Sequence, residues 1–232
     1  MDRIELDNLT RIYYDTQGET FYALDHASLI WEQGHSIAIM GESGSGKSTL
    51  ARLMIGLERP SEGRILINGV DTTKWSLREW RKYRGKIQAV FQDAGGTLNP
   101  AWSTSKNVEE ALVNLTDLSP SQRKNRIAEL MEQTGLSKNL LDTPVRRLSG
   151  GEQRRLALLR SLSISPEFLI LDEVTAGLDL ISTEAVLQLL EKYEQEHDCA
   201  YLVITHDLQI ASRLCEIIYE IEHGKITKKA VR

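Results

Sequence analysis

The segment Gly41–Ser48, which reads GESGSGKS, constrains the fold of this chain more than any other feature. It fits the pattern GxxxxGK[ST] between the apolar run His35–Met40 and the segment Thr49–Leu57, which predicts a strand, a tight loop and a helix. Glycines let backbone N–H groups of such a loop face an anion, and the helix N-terminus adds partial positive charge. We predict that Lys47 reaches the β- and γ-phosphates of a nucleotide and that Ser48 ligates Mg²⁺. The other predicted phosphate-site residues are Gly41, Ser43, Gly44, Ser45, Gly46 and Thr49.

A second apolar run, Phe168–Leu171, is followed by two carboxylates, Asp172 and Glu173. In enzymes with such a phosphate loop, an acidic residue at a strand end holds Mg²⁺ directly or through water. We predict that Asp172 binds the metal and that Glu173 orients or deprotonates the attacking water. Because consecutive side chains of a strand start in opposite directions, one carboxylate is expected to face the metal and the other the water.

The signature loop, Leu148–Gln153, has the sequence LSGGEQ. Two glycines after a serine, ahead of a predicted helix over Gln153–Ser163, indicate a second anion-binding helix N-terminus. The first phosphate site already has a helix of its own. This second end is therefore expected to address a nucleotide that is held by another subunit.

Charge and hydropathy exclude some classes of protein. The 232 residues include 28 Lys and Arg against 33 Asp and Glu, a net charge of −5. Mild acidity argues against a nucleic-acid-binding protein, which needs a basic stripe. The longest apolar run, Cys199–Ile204, has six residues, whereas a membrane-spanning helix needs about 20. The charged start Met1–Glu5 predicts no signal peptide.

The coarse pattern along the chain is an alternation of strands and helices. The apolar runs Phe168–Leu171 and Tyr201–Ile204 predict strands buried on both faces of a mostly parallel sheet. Arg64–Asn68 predicts a strand that ends in an Asn68–Gly69 turn. From about Val108 to Ser163 the pattern is helical instead. Within that block Ser119-Pro120-Ser121-Gln122 predicts a helix start, and Gly135 predicts the end of that helix.

In their order and spacing, these segments resemble the ATP-binding subunit of ABC transporters, over about Ile4–Lys228. Gln92, the sequence AGLD at Ala176–Asp179 and His206 complete the matching set. The resemblance implies a single ABC ATPase domain over 1–232. Its fold would be α/β, with a P-loop NTPase (RecA-like) core, a helical subdomain inserted at approximately 97–165 and an antiparallel β subdomain. The implied cofactors are ATP and Mg²⁺.

The resemblance also implies roles for individual residues. Gln92 would sense Mg²⁺ and the γ-phosphate, and His206 would touch the γ-phosphate, so that both join Glu173 in catalysis. In a head-to-tail dimer, Asp179 would belong to the seam loop, Thr175–Asp179, which crosses between the subunits. Tyr13, by its spacing from Tyr22, would stack on adenine, with Tyr14 as the alternative. The residues implied to contact the opposite subunit's ATP are Ser149, Gly150, Gly151 and Glu152.

The type of transporter is indicated by Phe91–Pro100, which resembles the FQDPxxSLNP stretch of ATPases for dipeptides, oligopeptides and nickel, with Ala94 in place of the usual Pro. In the family this surface receives a short helix of the membrane partner, and Leu98 and Trp102 are expected near that docking groove. Peptide-type subunits usually carry a long C-terminal extension. Since this chain stops at Arg232, the expectation is the compact second ATPase of nickel or metal-chelate importers.

The expected function is therefore ATP hydrolysis that powers uptake of a small solute (peptide, nickel or metal-chelate) through a membrane permease. Expected partners are the permease subunits, a second ATPase subunit in a homo- or heterodimer and an extracytoplasmic substrate-binding protein. The protein would be peripheral on the cytoplasmic face of the inner membrane. The alternatives are the ATPase of an exporter or lipoprotein-release system and a non-transport ABC ATPase. The latter needs a coiled-coil insertion, zinc cysteines or two ATPase units, which this sequence lacks.

Overall fold

The computed structural model describes residues 1–14, 16–93 and 95–231, with the backbone alone for 228–231. The chain divides into two compact units. The first unit comprises Met1–Ala89, Glu167–Asp172 and Asp198–Arg232, and the second comprises Val90–Pro166 and Glu173–His197. The inserted subdomain over about 97–165 stays a prediction.

One sheet of the first unit is antiparallel and has four strands in the order β2-β1-β4-β5. These strands are β1 (Arg3–Tyr14), β2 (Thr20–Glu32), β4 (Glu62–Ile67) and β5 (Val70–Asp71). The predicted turn between β4 and β5 is confirmed, because Asn68 and Gly69 have φ of 50° and 77°. Two successive positive φ angles are typical of a type I′ hairpin turn.

The other sheet has six strands in the order β10-β9-β3-β8-β7-β6. They are β3 (Ile37–Met40), β6 (Ile87–Val90), β7 (Phe168–Asp172), β8 (Ala200–Ile204), β9 (Ile217–Glu222) and β10 (Lys225–Val231). β3 runs parallel to β8 and β9, and β7 runs parallel to β8. Every residue of β7 and β8 is buried, which confirms the prediction drawn from their unbroken apolar runs. Trp31 of β2 packs edge-on against Phe168, with ring centroids 4.7 Å apart.

The helices of the first unit are α1 (Lys47–Met54), α2 (Leu77–Arg81) and α7 (Leu208–Leu214). α1 ends earlier than the predicted Leu57 because Gly56 turns left-handed, with φ of 68°. Gly56 lies so close to the indole of Trp80 that a Cβ there would overlap it. The predicted helix after the phosphate loop is thus confirmed, with a shorter C-terminal end.

The second unit contains α3 (Thr104–Leu115), α4 (Pro120–Gln133), α5 (Gly150–Ser163) and α6 (Leu180–His197). α4 begins as predicted, since the Gln122 N–H donates to Ser119 Oγ at 3.4 Å and the Ser119 N–H donates to the Gln122 side chain at 2.8 Å. Gly135, with φ of 65°, follows the end of α4. Tyr193 of α6 is buried and donates its hydroxyl to the Leu162 carbonyl at 2.8 Å. No helix in the described ranges is long and apolar enough to cross a bilayer.

Candidate functional site

The loop between β3 and α1 passes through backbone conformations that favour glycine. Gly44 and Gly46 have φ of 80° and 107°, and Gly41 has φ of 156°. A Cβ at Gly46 would overlap the carbonyl oxygen of Ala23, and one at Gly41 would overlap that of Ile221. At Gly46 both the backbone angle and the close approach of β2 therefore require glycine.

Lys47, the first residue of α1, folds its side chain back into this loop and is only 9 % exposed. Its Nζ donates to the carbonyl oxygens of Gly41 and Glu42, at 2.7 and 2.6 Å. The N-cap residue Gly46 has no side chain with which to cap α1, which leaves that end of the helix to an outside anion. A buried cation and an uncapped helix N-terminus are what a phosphate group needs.

Parallel strands bring further predicted residues to the same edge of the six-stranded sheet. Ile39 of β3 pairs with Ile204 of β8, and Ile204 pairs with Asp172 of β7, so the three strands end together. The phosphate loop follows β3, and His206 follows β8. Asp172 is 3 % exposed, whereas His206 is exposed. This edge thus carries a phosphate loop, a buried carboxylate and an exposed imidazole.

Ser48 and Asp172 fit the binding of Mg²⁺ by the chemistry of their donor atoms. A hydroxyl and a carboxylate are hard oxygen ligands, and Mg²⁺ is usually held by one or two such groups together with phosphate oxygens. A bound divalent ion would also neutralise charge on the β- and γ-phosphates. Within the described residues, no group of three or more His, Cys, Asp or Glu side chains could hold a metal by itself.

The expectation that Asp172 and Glu173 alternate along one strand is wrong. β7 ends at Asp172, and Glu173 has φ of 52°, in the left-handed region. The chain turns directly after the strand, since the Ala176 N–H donates to the Glu173 carbonyl at 3.0 Å. A turn therefore sets the direction of the half-buried Glu173 side chain. Its role as a base stays a prediction.

The signature loop begins a helix three residues before the predicted Gln153, because α5 starts at Gly150. Ser149 Oγ accepts from the Glu152 N–H at 3.3 Å, and the Glu152 carboxylate accepts from the Ser149 N–H and hydroxyl, both at 2.8 Å. These bonds, first the backbone one and then the hydroxyl one, lower the pKa of Glu152. Glu152 thus caps its own helix, and its contact with nucleotide stays a prediction.

The two glycines of the signature loop have ample room. Neither Gly150 nor Gly151 has a positive φ. A Cβ at Gly150 would meet no atom within 4 Å, and one at Gly151 would come no closer than 3.7 Å to a methyl group of Leu178. The described part of the chain therefore gives no backbone or packing reason for glycine at Gly150.

The seam loop lies beside the start of α5. Arg154 donates to the carbonyl oxygen of Ala176. Asp179 is exposed and caps α6, since its carboxylate accepts from the Ser182 N–H at 2.9 Å and from the Ser182 hydroxyl at 2.8 Å. The backbone bond from Ser182, followed by the hydroxyl bond, lowers the pKa of Asp179. The second unit thus brings the signature loop and the seam loop together.

The sequence profile of the ABC transporter family matches residues 24–176, from within β2 to the beginning of the seam loop. The chain belongs to the ABC transporter family. Its relatives include the nickel import ATP-binding protein NikE of Rhodospirillum rubrum, which is 38 % identical over 89 % of this chain and 75 % of its own length. The NikE protein of Escherichia coli is 36 % identical over 90 % of this chain and 78 % of its own length.

Solved structures of ABC proteins have the same fold. The dimeric post-hydrolysis state of the ATP-binding cassette MJ0796, bound to ADP and Pi, matches with a TM-score of 0.91 and 32 % identity over 99 % of both chains. CbiO1 from Clostridium perfringens, part of the ABC transporter complex CbiONQ, matches with a TM-score of 0.80 and 31 % identity over 98 % of this chain and 88 % of its own. The chain is therefore an ABC ATPase domain with the predicted P-loop NTPase fold.

In this ABC ATPase, the sequence analysis missed the surroundings of Tyr13. The guanidinium of Arg11 lies over the Tyr13 ring, 4.5 Å from its centroid, and the Tyr13 hydroxyl donates to Glu58 Oε2 at 2.5 Å. The spacing of two residues on β1 is a signal that could have indicated Arg11. Glu58 is distant in sequence, and no local pattern points to it. Tyr14 is 71 % exposed.

Gln92 is exposed in the loop after β6 of the ABC ATPase. Leu98 is 5 % exposed and belongs to the core, and its place near a docking groove stays a prediction. Trp102 is half-buried, with the Lys106 ammonium 4.6 Å from its ring centroid. Ala94 lies outside the described residues.

Proposed function

We propose that this ABC ATPase hydrolyses Mg²⁺-bound ATP to drive uptake of a small solute, with nickel or a metal chelate as the first candidate and a peptide as the second. The observation that carries the uptake proposal is the 36–38 % identity to nickel import ATP-binding proteins over about nine-tenths of the chain. The peptide- and nickel-type segment Phe91–Pro100 supports the same class.

The proposed chemistry gives each predicted site residue a role. The phosphate loop and Lys47 bind the triphosphate. Ser48 and Asp172 bind Mg²⁺, and Gln92 senses it. Tyr13 stacks on the adenine. Glu173 positions or deprotonates the attacking water, and His206 contacts the γ-phosphate. A carboxylate that accepts the proton of water typically accelerates hydrolysis 10²–10⁴-fold.

The proposed assembly is a dimer of ATPase subunits on a membrane permease, at the cytoplasmic face of the inner membrane, served by an extracytoplasmic substrate-binding protein. Ser149, Gly150 and Gly151 would contact ATP held by the opposite subunit. The solved dimer of MJ0796 and the CbiO1 subunit of a transporter complex are the relatives that support this arrangement.

The proposed chemistry is tested by Glu173→Gln. Glutamine keeps the size of the side chain but cannot accept the proton, so we expect ATP hydrolysis to fall about 10²–10⁴-fold while ATP still binds. The variant should accumulate as an ATP-bound dimer in size-exclusion chromatography with ATP and as a monomer without it. If the working partner is a related subunit, the shift should appear only in the mixture.

The control is Glu184→Gln, a change at an exposed glutamate of α6 in the same unit. It should leave the rate of hydrolysis within about twofold. Hydrolysis by Glu173→Gln at near the parent rate would contradict the role of Glu173. The proposed cargo is tested separately, by nickel accumulation in cells with and without the gene; equal accumulation would exclude nickel and leave peptides to be assayed.

A further inference from the structure

Glu58 connects three side chains of the first unit, two from β1 and one from α1. Its Oε2 accepts the Tyr13 hydroxyl at 2.5 Å and lies 3.3 Å from the Arg11 guanidinium. Its Oε1 accepts from Arg52 Nε at 2.8 Å. The Glu58 side chain is only 22 % exposed. Both carboxylate oxygens thus have specific partners in a partly dry setting, where such bonds are stronger than at an open surface.

This arrangement fixes the orientation of the Tyr13 ring. The bond to Glu58 holds the hydroxyl end, and the Arg11 guanidinium covers one face. Arg11 is itself held, since it donates to the Arg59 carbonyl at 3.1 Å. A planar base can therefore stack only on the opposite face of the ring.

The same carboxylate also ties Tyr13 to the helix that carries the phosphate loop. Arg52 lies in the last turn of α1, which begins at Lys47. The Leu57 N–H donates to the Arg52 carbonyl at 2.9 Å, which anchors the chain that leads to Glu58. The Glu58 side chain thus links the Tyr13 ring to the helix that follows the phosphate loop.

We propose that Glu58 is a positioning residue for nucleotide binding, which aligns the Tyr13 ring with the phosphate loop so that base and triphosphate bind together. The proposal rests on the proposed role of Tyr13 as the adenine platform. Glu58 itself does not contact the nucleotide. Glu58 strengthens the part of the ATP affinity that comes from the base. The part that comes from the phosphates depends on Lys47 and the phosphate loop.

The test compares the binding of ATP with that of inorganic tripolyphosphate, each with Mg²⁺, by calorimetry. Glu58→Ala should weaken ATP binding about threefold to tenfold, the value of one well-placed hydrogen bond, and leave tripolyphosphate binding unchanged. Tyr13→Phe keeps the ring but loses the bond, and it should weaken ATP binding by a similar factor. The double variant Tyr13→Phe/Glu58→Ala should bind ATP about as well as either single variant, because both remove the same interaction.

Two control variants and the wild type make the result decisive. Glu62→Ala, at an exposed glutamate of β4, should change neither affinity. Lys47→Ala should weaken both ligands. The proposal is overturned if Glu58→Ala binds ATP as tightly as the parent, if it weakens both ligands equally, or if the losses in the double variant multiply. Failure of the parent chain to bind ATP at all would instead refute the proposed function.

Discussion

The phosphate loop and the signature loop are both glycine-rich starts of helices, yet the described residues explain the glycine at Gly46 and not the one at Gly150. In the phosphate loop, Gly46 has a positive φ and lies against the Ala23 carbonyl, so the fold itself excludes a side chain. In the signature loop, Gly150 has no positive φ, and a Cβ added there would meet no atom of the described residues within 4 Å. The fold itself therefore requires glycine at Gly46, whereas the described residues leave open space beside Gly150.

The two helix starts also differ in how they are capped. α1 has no side-chain cap, and the buried Lys47 ammonium supplies positive charge beside it. α5 is capped by Ser149 and Glu152, so that a carboxylate occupies its N-terminal turn. An anion is therefore attracted strongly to the first site, whereas at the second it meets a terminus that is already partly neutralised.

The largest expected effect is that of Gly46→Ala on stability. The added methyl group would overlap the backbone of β2 in a conformation that already strains alanine, so we expect the free energy of unfolding to fall by about 2–3 kcal/mol. Gly44→Ala is the matched control, because Gly44 has a positive φ but open space, and it should cost about 1 kcal/mol. Chemical denaturation measures both. Equal losses would show that overlap with Ala23 is unimportant.

A smaller effect is expected for Ser149→Ala, which removes the cap of α5. The free energy of unfolding should fall by about 1 kcal/mol at neutral pH. The pKa of Glu152 is lowered in the folded state, so its share of this stabilisation is complete above the ordinary glutamate pKa of about 4.3 and is lost as the pH falls through the folded pKa. The cost of Ser149→Ala should therefore shrink in acid.

Ser119→Ala is the control for that pH dependence. Ser119 caps α4 in the same geometry, but its partner Gln122 does not titrate. Its cost should stay constant between pH 7 and pH 3 in denaturation experiments. The assignment to Glu152 would be refuted if the two variants lost stability in parallel over this range.

The smallest expected effect on stability is that of Gly150→Ala. Alanine has the higher helix propensity and meets no neighbour, so the free energy of unfolding should stay the same or rise by up to about 0.5 kcal/mol. If the opposite subunit's ATP approaches this glycine, ATP-dependent dimerisation of the Glu173→Gln protein should nevertheless weaken roughly tenfold. Unchanged dimerisation, measured by sedimentation, would mean that the open space at Gly150 has no such occupant.

Much of the fold could be predicted because its signals are local. The apolar runs of β7 and β8, the turn at Asn68–Gly69 and the cap at Ser119 each depend on a few neighbouring residues, and the structure confirms them. The start of α5 was missed although Ser149 and Glu152 form the same Ser-x-x-Glu signal, because the two glycines between them are poor helix formers.

The errors at the candidate site have a different origin. Pairing Asp172 with Glu173 on one strand assumed that β7 continued, whereas the turn at Glu173 depends on a backbone bond to Ala176. The contact between Tyr13 and Glu58 depends on how β1 lies beside the chain after α1, which sequence spacing alone does not encode.

Because the backbone at Glu173 is left-handed, the residue that would be best for stability at this position differs from the one that the proposed activity needs. A residue with a side chain costs about 1–2 kcal/mol in this conformation, and glycine relieves that cost. Selection of variants for thermal stability alone would therefore enrich glycine at this position and discard the carboxylate that the proposed hydrolysis requires. At this one turn, folding free energy and the proposed turnover therefore favour different residues.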